Sequence, residues 1–105
     1  MSKLFREHHN KNITAAFDVD QTLINADDTP KYRVIELFRA FSSLGCDMII
    51  WSGCGVEYAK RWAEKLGLDA RILPKGSISP DIVFDDMETS MGKVAIQVWG
   101  APAKW

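Results

Sequence analysis

Short apolar runs alternate with stretches of helical periodicity along this chain, and that alternation limits what it can fold into. Residues 13–19 are β-rich and almost free of charge until Asp18, as suits a central strand buried on both faces. Thr29 and Pro30 read as an N-cap and a first helical residue. Val34, Leu37, Phe38, Phe41 and Leu44 then recur at helical spacing, and Gly45 stands where a C-terminal glycine cap belongs. A second apolar run, residues 46–52, meets the Gly53-Cys54-Gly55 turn. A helix over residues 55–66 follows, with Ala59, Trp62, Ala63 and Leu66 on one face and Gly67 closing it. Residues 70–73 and 81–86 read as third and fourth strands around a Pro/Gly/Ser loop. Residues 87–93 form a connection with room for one helical turn, and residues 94–99 read as a fifth, Val/Ile-rich strand. Right-handed crossovers between such units imply a parallel sheet with helices on both faces.

A chain of 105 residues is long enough for one compact domain and too short for two. The expected layout is a polar lead-in over residues 1–12 and a single domain over residues 13–105. Thirteen basic against fourteen acidic residues give a net charge of -1, which argues against bulk binding to nucleic acid or a membrane surface. No apolar run approaches ~20 residues, and residues 1–12 lack the apolar core of a signal peptide, so the expectation is a cytoplasmic protein with no membrane contact. Cys46 and Cys54 fit neither a disulfide framework nor a four-ligand zinc site and are expected as reduced thiols. His8 and His9 are expected as a solvated pair.

The chemistry-bearing residues gather at the strands' carboxyl ends, where parallel sheets bind their ligands. Asp18, Asp20, Ser52, Asp85 and Asp86 all fall there, and Lys75 lies in the loop after the third strand. Residues two apart on a strand share a face, so Asp18 and Asp20 are expected to repel until a proton or a cation intervenes. Such a pair serves divalent-metal and acid/base chemistry alike; the plainer alternative is a strand end with Asp and Thr as turn and cap residues.

Taken in order, these strand ends resemble the motifs of the haloacid dehalogenase-like superfamily. Asp18-Val19-Asp20-Gln21-Thr22 matches its DxDx[TV] motif, and Ser52 matches the Ser or Thr that ends its second strand. Lys75 matches its basic third motif better than Lys60 or Lys93, and Ile82-Val83-Phe84-Asp85-Asp86 matches its terminal acidic pair. Gln21 departs from the family, many of whose members have glycine there. The resemblance spans residues 13–99. It implies a Rossmann-like three-layer α/β/α fold around a five-stranded parallel sheet and a Mg²⁺-dependent phosphatase working through an aspartyl-phosphate. Asp18 would be the nucleophile and Asp20 the general acid and base, with Ser52, Gly53 and Lys75 binding the phosphoryl group. Asp18, Asp85 and the main-chain carbonyl of Asp20 would hold Mg²⁺, and Asp86 would stand beside them or exchange roles with Asp85. Lys75 and the metal would keep Asp18 ionised, and Thr22 would fix its turn by bonding backbone.

Larger members insert a cap domain after the first strand or before the third motif, and neither gap here has room for one. An uncapped site needs a bulky substrate, such as a protein or polynucleotide end, or a neighbouring subunit of a homo-oligomer, to exclude water. A small phosphorylated molecule stays in contention. The fifth strand and Trp99 are expected to pack on the sheet, the alternative being that they and Trp105 meet a partner chain. Two rivals remain. A receiver-type signalling domain would carry its adjacent acidic pair after the first strand, whereas here Asp85-Asp86 comes late. A catalytically idle domain binding Mg²⁺ or phosphate would keep every motif.

Overall fold

The strand at the centre of the molecule is the one with least polar surface to hide. In the computed structural model, which describes residues 12–99, β1 (Thr14–Asp18) buries Ala15, Ala16 and Phe17 completely. Parallel neighbours flank it on both sides: β2 (Asp47–Trp51) in register Asp18↔Trp51, and β4 (Ile82–Asp85) in register Phe17↔Phe84. β3 (Arg71–Ile72) lies outside β2 and β5 (Val94–Gln97) outside β4, so the five-stranded, all-parallel sheet has the order β3-β2-β1-β4-β5. Two helices, α1 (Tyr32–Ser43) and α2 (Val56–Leu66), complete the α/β fold of the described residues. No described helix is long and apolar enough to cross a membrane. The lead-in with His8 and His9 and the tail with Trp105 lie outside the described residues, apart from Asn12.

The sheet's two faces are unequal. Ala15, Phe17, Met48, Ile50 and Phe84 meet Val34, Ile35 and Phe38 of α1 and Ala59 and Ala63 of α2 in one cluster. Phe17 stacks on Phe84 with ring centroids 4.3 Å apart, and Phe38 closes edge-on at 5.1 Å, contacts worth about 1 kcal/mol each beyond their burial. Ala16, Ile49, Trp51 and Val83 form the opposite face, covered among the described residues by Leu73 and Met91 from loops. Both helices therefore share one face, and the expected third layer is not formed by described residues. The cause is topological: β1, β2 and β3 advance in one direction, so two right-handed crossovers place both helices on the same side. The return to β4 passes the other face through residues 73–81, whose prolines and glycine form no helix.

Three local expectations are corrected. Thr29 does not cap α1, which starts from Lys31 with no side-chain cap. Its hydroxyl is spent in the preceding loop, donating to Asp27 Oδ1 at 2.6 Å and accepting from Asn25 Nδ2 at 2.9 Å, while Pro30 bridges to Ile24. Residues 87–93 contain no helical turn. β5 ends at Gln97 instead of Trp99: it pairs with β4 at the sheet's edge and Val98 packs against the core, but its four residues are exposed and Trp99 is 76% exposed instead of packing on the sheet. Gly45 and Gly67 take positive φ just past α1 and α2, as their sequence positions imply.

The loop over the helix-free face fits closely. A Cβ added at Gly92 would stand 3.0 Å from Val83 Cγ1 and 3.1 Å from the Pro80 carbonyl oxygen. That carbonyl already accepts the Lys93 N–H at 3.0 Å, and a buried valine has little rotamer freedom, so neither neighbour yields freely. Gly92→Ala is expected to destabilise the fold by about 1–3 kcal/mol. Urea denaturation measures it, and an unchanged midpoint would contradict this packing.

Candidate active site

Strand order reverses at β1, whose two neighbours continue in opposite directions, and a crevice at the carboxyl ends follows from that switch. Asp18 and Asp85 come two residues after Ala16 and Val83 and so point to the helix-free face. The loop crossing that face delivers Lys75, whose Nζ lies 2.7 Å from Asp85 Oδ2 and 3.2 Å from Asp18 Oδ1. Asp86 joins them: ligand oxygens of Asp18, Asp85 and Asp86 all lie within 4.8 Å of one another. Asp85 is the deepest of the three, 1% exposed, and its Oδ1 accepts the Met87 N–H at 2.9 Å.

Burial raises the Asp18 pKa to about 7, with the Asp85 charge adding to the rise and Lys75 opposing it. Lys75 alone therefore does not keep Asp18 ionised. The repelling partner is Asp85, not Asp20 as the two-residue spacing implied. Asp86 is likewise pushed up, by burial and then by Asp85. Burial would lower the Lys75 pKa, but hydrogen bonds and charge from Asp85 and Asp18 outweigh it, and the net shift is upward. Three carboxylates against one ammonium leave an excess of negative charge among hard oxygen donors, and that donor set suits Mg²⁺.

The Asp20 carboxylate belongs to a different group. Beyond β1 the chain tightens into a turn in which the Val19 carbonyl accepts the N–H groups of Thr22, Leu23 and Ile24. Gln21 occupies the left-handed region there at φ 59, where a glycine would carry no penalty. Asp20 emerges towards α2: Tyr58 Oη donates to its Oδ1 at 2.6 Å, and Cys54 Sγ lies 3.7 Å from its Oδ2. That bond, followed by burial, raises the Tyr58 phenol to about 12. Thr22 does not bond backbone as expected; its buried hydroxyl has no partner among the described residues, and the turn is held by main-chain bonds and by the Lys31 ammonium, which donates to the Gln21 carbonyl at 2.8 Å.

Ser52 is buried, and its Oγ accepts the Cys54 N–H at 3.0 Å, leaving its own proton free to donate. Gly53 is exposed, with nothing within 4 Å of where a Cβ would stand. The glycine this turn requires is Gly55, which enters α2 at φ 105. Tyr58 went unnoticed in the sequence because its distance from Asp20 is set by α2 docking on the sheet, and no local spacing encodes it.

A buried carboxylate with a raised pKa makes metal-free stability depend on pH. Between the unfolded value of 3.8 and about 7 the folded protein holds the Asp18 proton more tightly than the unfolded chain does. Stability contributed by that proton is thus present below pH 3.8 and lost as pH rises to about 7. Asp18→Asn removes the effect, so in chelator at pH 8 the variant should be more stable than wild type by about 1–4 kcal/mol, with near parity at pH 4. Thermal melts at both pH values measure it; a variant less stable at pH 8 than at pH 4 relative to wild type would refute it.

Comparison of the chain with protein-family models, curated proteins and solved structures finds no match, so its chemistry is read from its own residues and their geometry.

Proposed function

We propose that the protein is a Mg²⁺-dependent phosphomonoester hydrolase of the haloacid dehalogenase-like type, acting through an aspartyl-phosphate on Asp18. The observation that carries this reading is the separation of the two early carboxylates. Asp18 lies in a charged cluster with Lys75, Asp85 and Asp86, while Asp20 is held apart by Tyr58.

A phosphate monoester repels an anionic nucleophile, so positive charge must meet its oxygens first. Lys75 supplies one charge beside the Asp18 oxygen, and the free proton of Ser52, with the Gly53 backbone N–H, serves the phosphoryl oxygens. Asp18, Asp85 and Asp86, with the Asp20 main-chain carbonyl, would hold Mg²⁺. When bound, the cation supplies further positive charge and favours ionised Asp18. An Asp18 oxygen then bonds to phosphorus as the leaving oxygen departs with the proton that Asp20 gives it. In the second step Asp20 takes a proton from water, whose oxygen bonds to phosphorus and frees Asp18 and inorganic phosphate.

The connections at residues 21–29 and 68–74 are too short for a cap. The substrate is therefore either a phosphorylated macromolecular end or a small molecule enclosed by a second subunit. A phosphate-release screen over sugar phosphates, nucleotides, polynucleotide ends and phosphopeptides tests the reading. The expected outcome is Mg²⁺-dependent turnover that chelation abolishes. Asp18→Asn should form no acid-stable phosphoenzyme and lose at least about 10³-fold in kcat. Full turnover after chelation or in Asp18→Asn, or none with any substrate class, would overturn it.

A further inference from the structure

We propose that Tyr58 is the positioning residue of Asp20: its hydroxyl grips one carboxylate oxygen and leaves the other free to exchange protons with leaving group and water. The inference rests on the role given to Asp20 above and adds a residue that the motif set does not contain.

The grip is short and single-sided. Tyr58 Oη lies 2.6 Å from Oδ1, while the other oxygen, Oδ2, has among the described residues the weak Cys54 thiol at 3.7 Å as its side-chain partner. Cys54 belongs to the turn that presents Ser52, so Oδ2 faces the side of the site where a phosphoryl group bound by Ser52 would lie. The helix turn that carries Tyr58 is anchored, and the Tyr58 side chain packs against the core. Gly55 opens α2, its carbonyl accepts the Ala59 N–H at 3.1 Å, and Ala59 is fully buried against the sheet. One turn of chain thus sets both Ser52 and Tyr58.

A phenol suits this position because Oδ1 accepts its hydrogen bond whether Asp20 is a carboxylate or a carboxylic acid protonated on Oδ2. The same contact survives giving the proton away and taking it back, so Asp20 need not change rotamer between the two steps. Among the described residues Asp18 has no phenol partner and is paired instead with Lys75.

Tyr58→Phe deletes the hydroxyl and keeps the ring. With Mg²⁺ present, kcat/KM for an alkyl phosphate, whose leaving group needs the proton, should fall about 10- to 100-fold, the effect of losing a hydrogen bond to a charged group. For an activated aryl phosphate it should fall less than about threefold, because that leaving group departs unaided. Equal losses for both esters, or no loss for either, would overturn the proposal, since a purely structural defect does not discriminate between leaving groups. Crystal structures of both proteins give a readout free of turnover: Asp20 should leave its wild-type rotamer in the variant, and an unmoved carboxylate would overturn the positioning role. Wild-type protein that leaves both esters intact would refute the phosphatase reading, while the structural comparison still decides whether Tyr58 holds Asp20.

Discussion

The Lys75 ammonium between Asp18 and Asp85 is the interaction on which the rest of the molecule depends. Two carboxylates, 5% and 1% exposed, end neighbouring parallel strands and would otherwise face each other with neither water nor countercharge. Removing the Lys75 ammonium would strand both carboxylates, at a cost of about 3–5 kcal/mol. The cation comes from the loop that returns from β3 to β4. It is therefore available only because that loop crosses the face without helices. The bridge consequently ties the most distant connection in the sheet to its central strand.

The sheet separates two kinds of work by its faces. The helix side carries the larger aromatic and aliphatic cluster and, through α2, the phenol that grips Asp20. The other side, covered among the described residues by Leu73 and Met91, holds the charged cluster at its rim. In the proposed reaction this keeps the nucleophile among charges that govern its ionisation, and keeps the proton carrier in a group where a neutral donor orients it. Two chemically identical side chains, two positions apart, thereby acquire different environments. The strand ends just after Asp18 and a tight turn begins, so the alternation that would have placed both carboxylates on one face no longer applies.

How far the chain was legible follows from how local each signal is. Apolar runs, helical spacing and the glycines at 45 and 67 depend on near neighbours, and they foretold all five strands, both helices and the parallel sheet to within a few residues. The motif residues Asp18, Asp85, Asp86 and Lys75 were also legible, because a strand's carboxyl end is a definite place in sequence, and the fold brings these four together. Legibility failed where one residue had two local uses. Thr29 has the makings of a helix cap, yet Asp27 and Asn25 lie closer to its hydroxyl. Residues 94–99 have a strand's composition, but nothing in that composition says whether a helix covers them.

Sequence alone determined the order of the elements and the polar groups at their ends, since backbone periodicity and turn chemistry are encoded over a few residues. Tertiary structure decided which side chains meet. It placed both helices on one face, paired Asp18 with Asp85 in place of Asp20, and brought Tyr58 to Asp20 across 38 positions. Those outcomes depend on crossover handedness and on helix docking against a buried sheet, which sum over the whole chain and leave no mark at the residues they bring together.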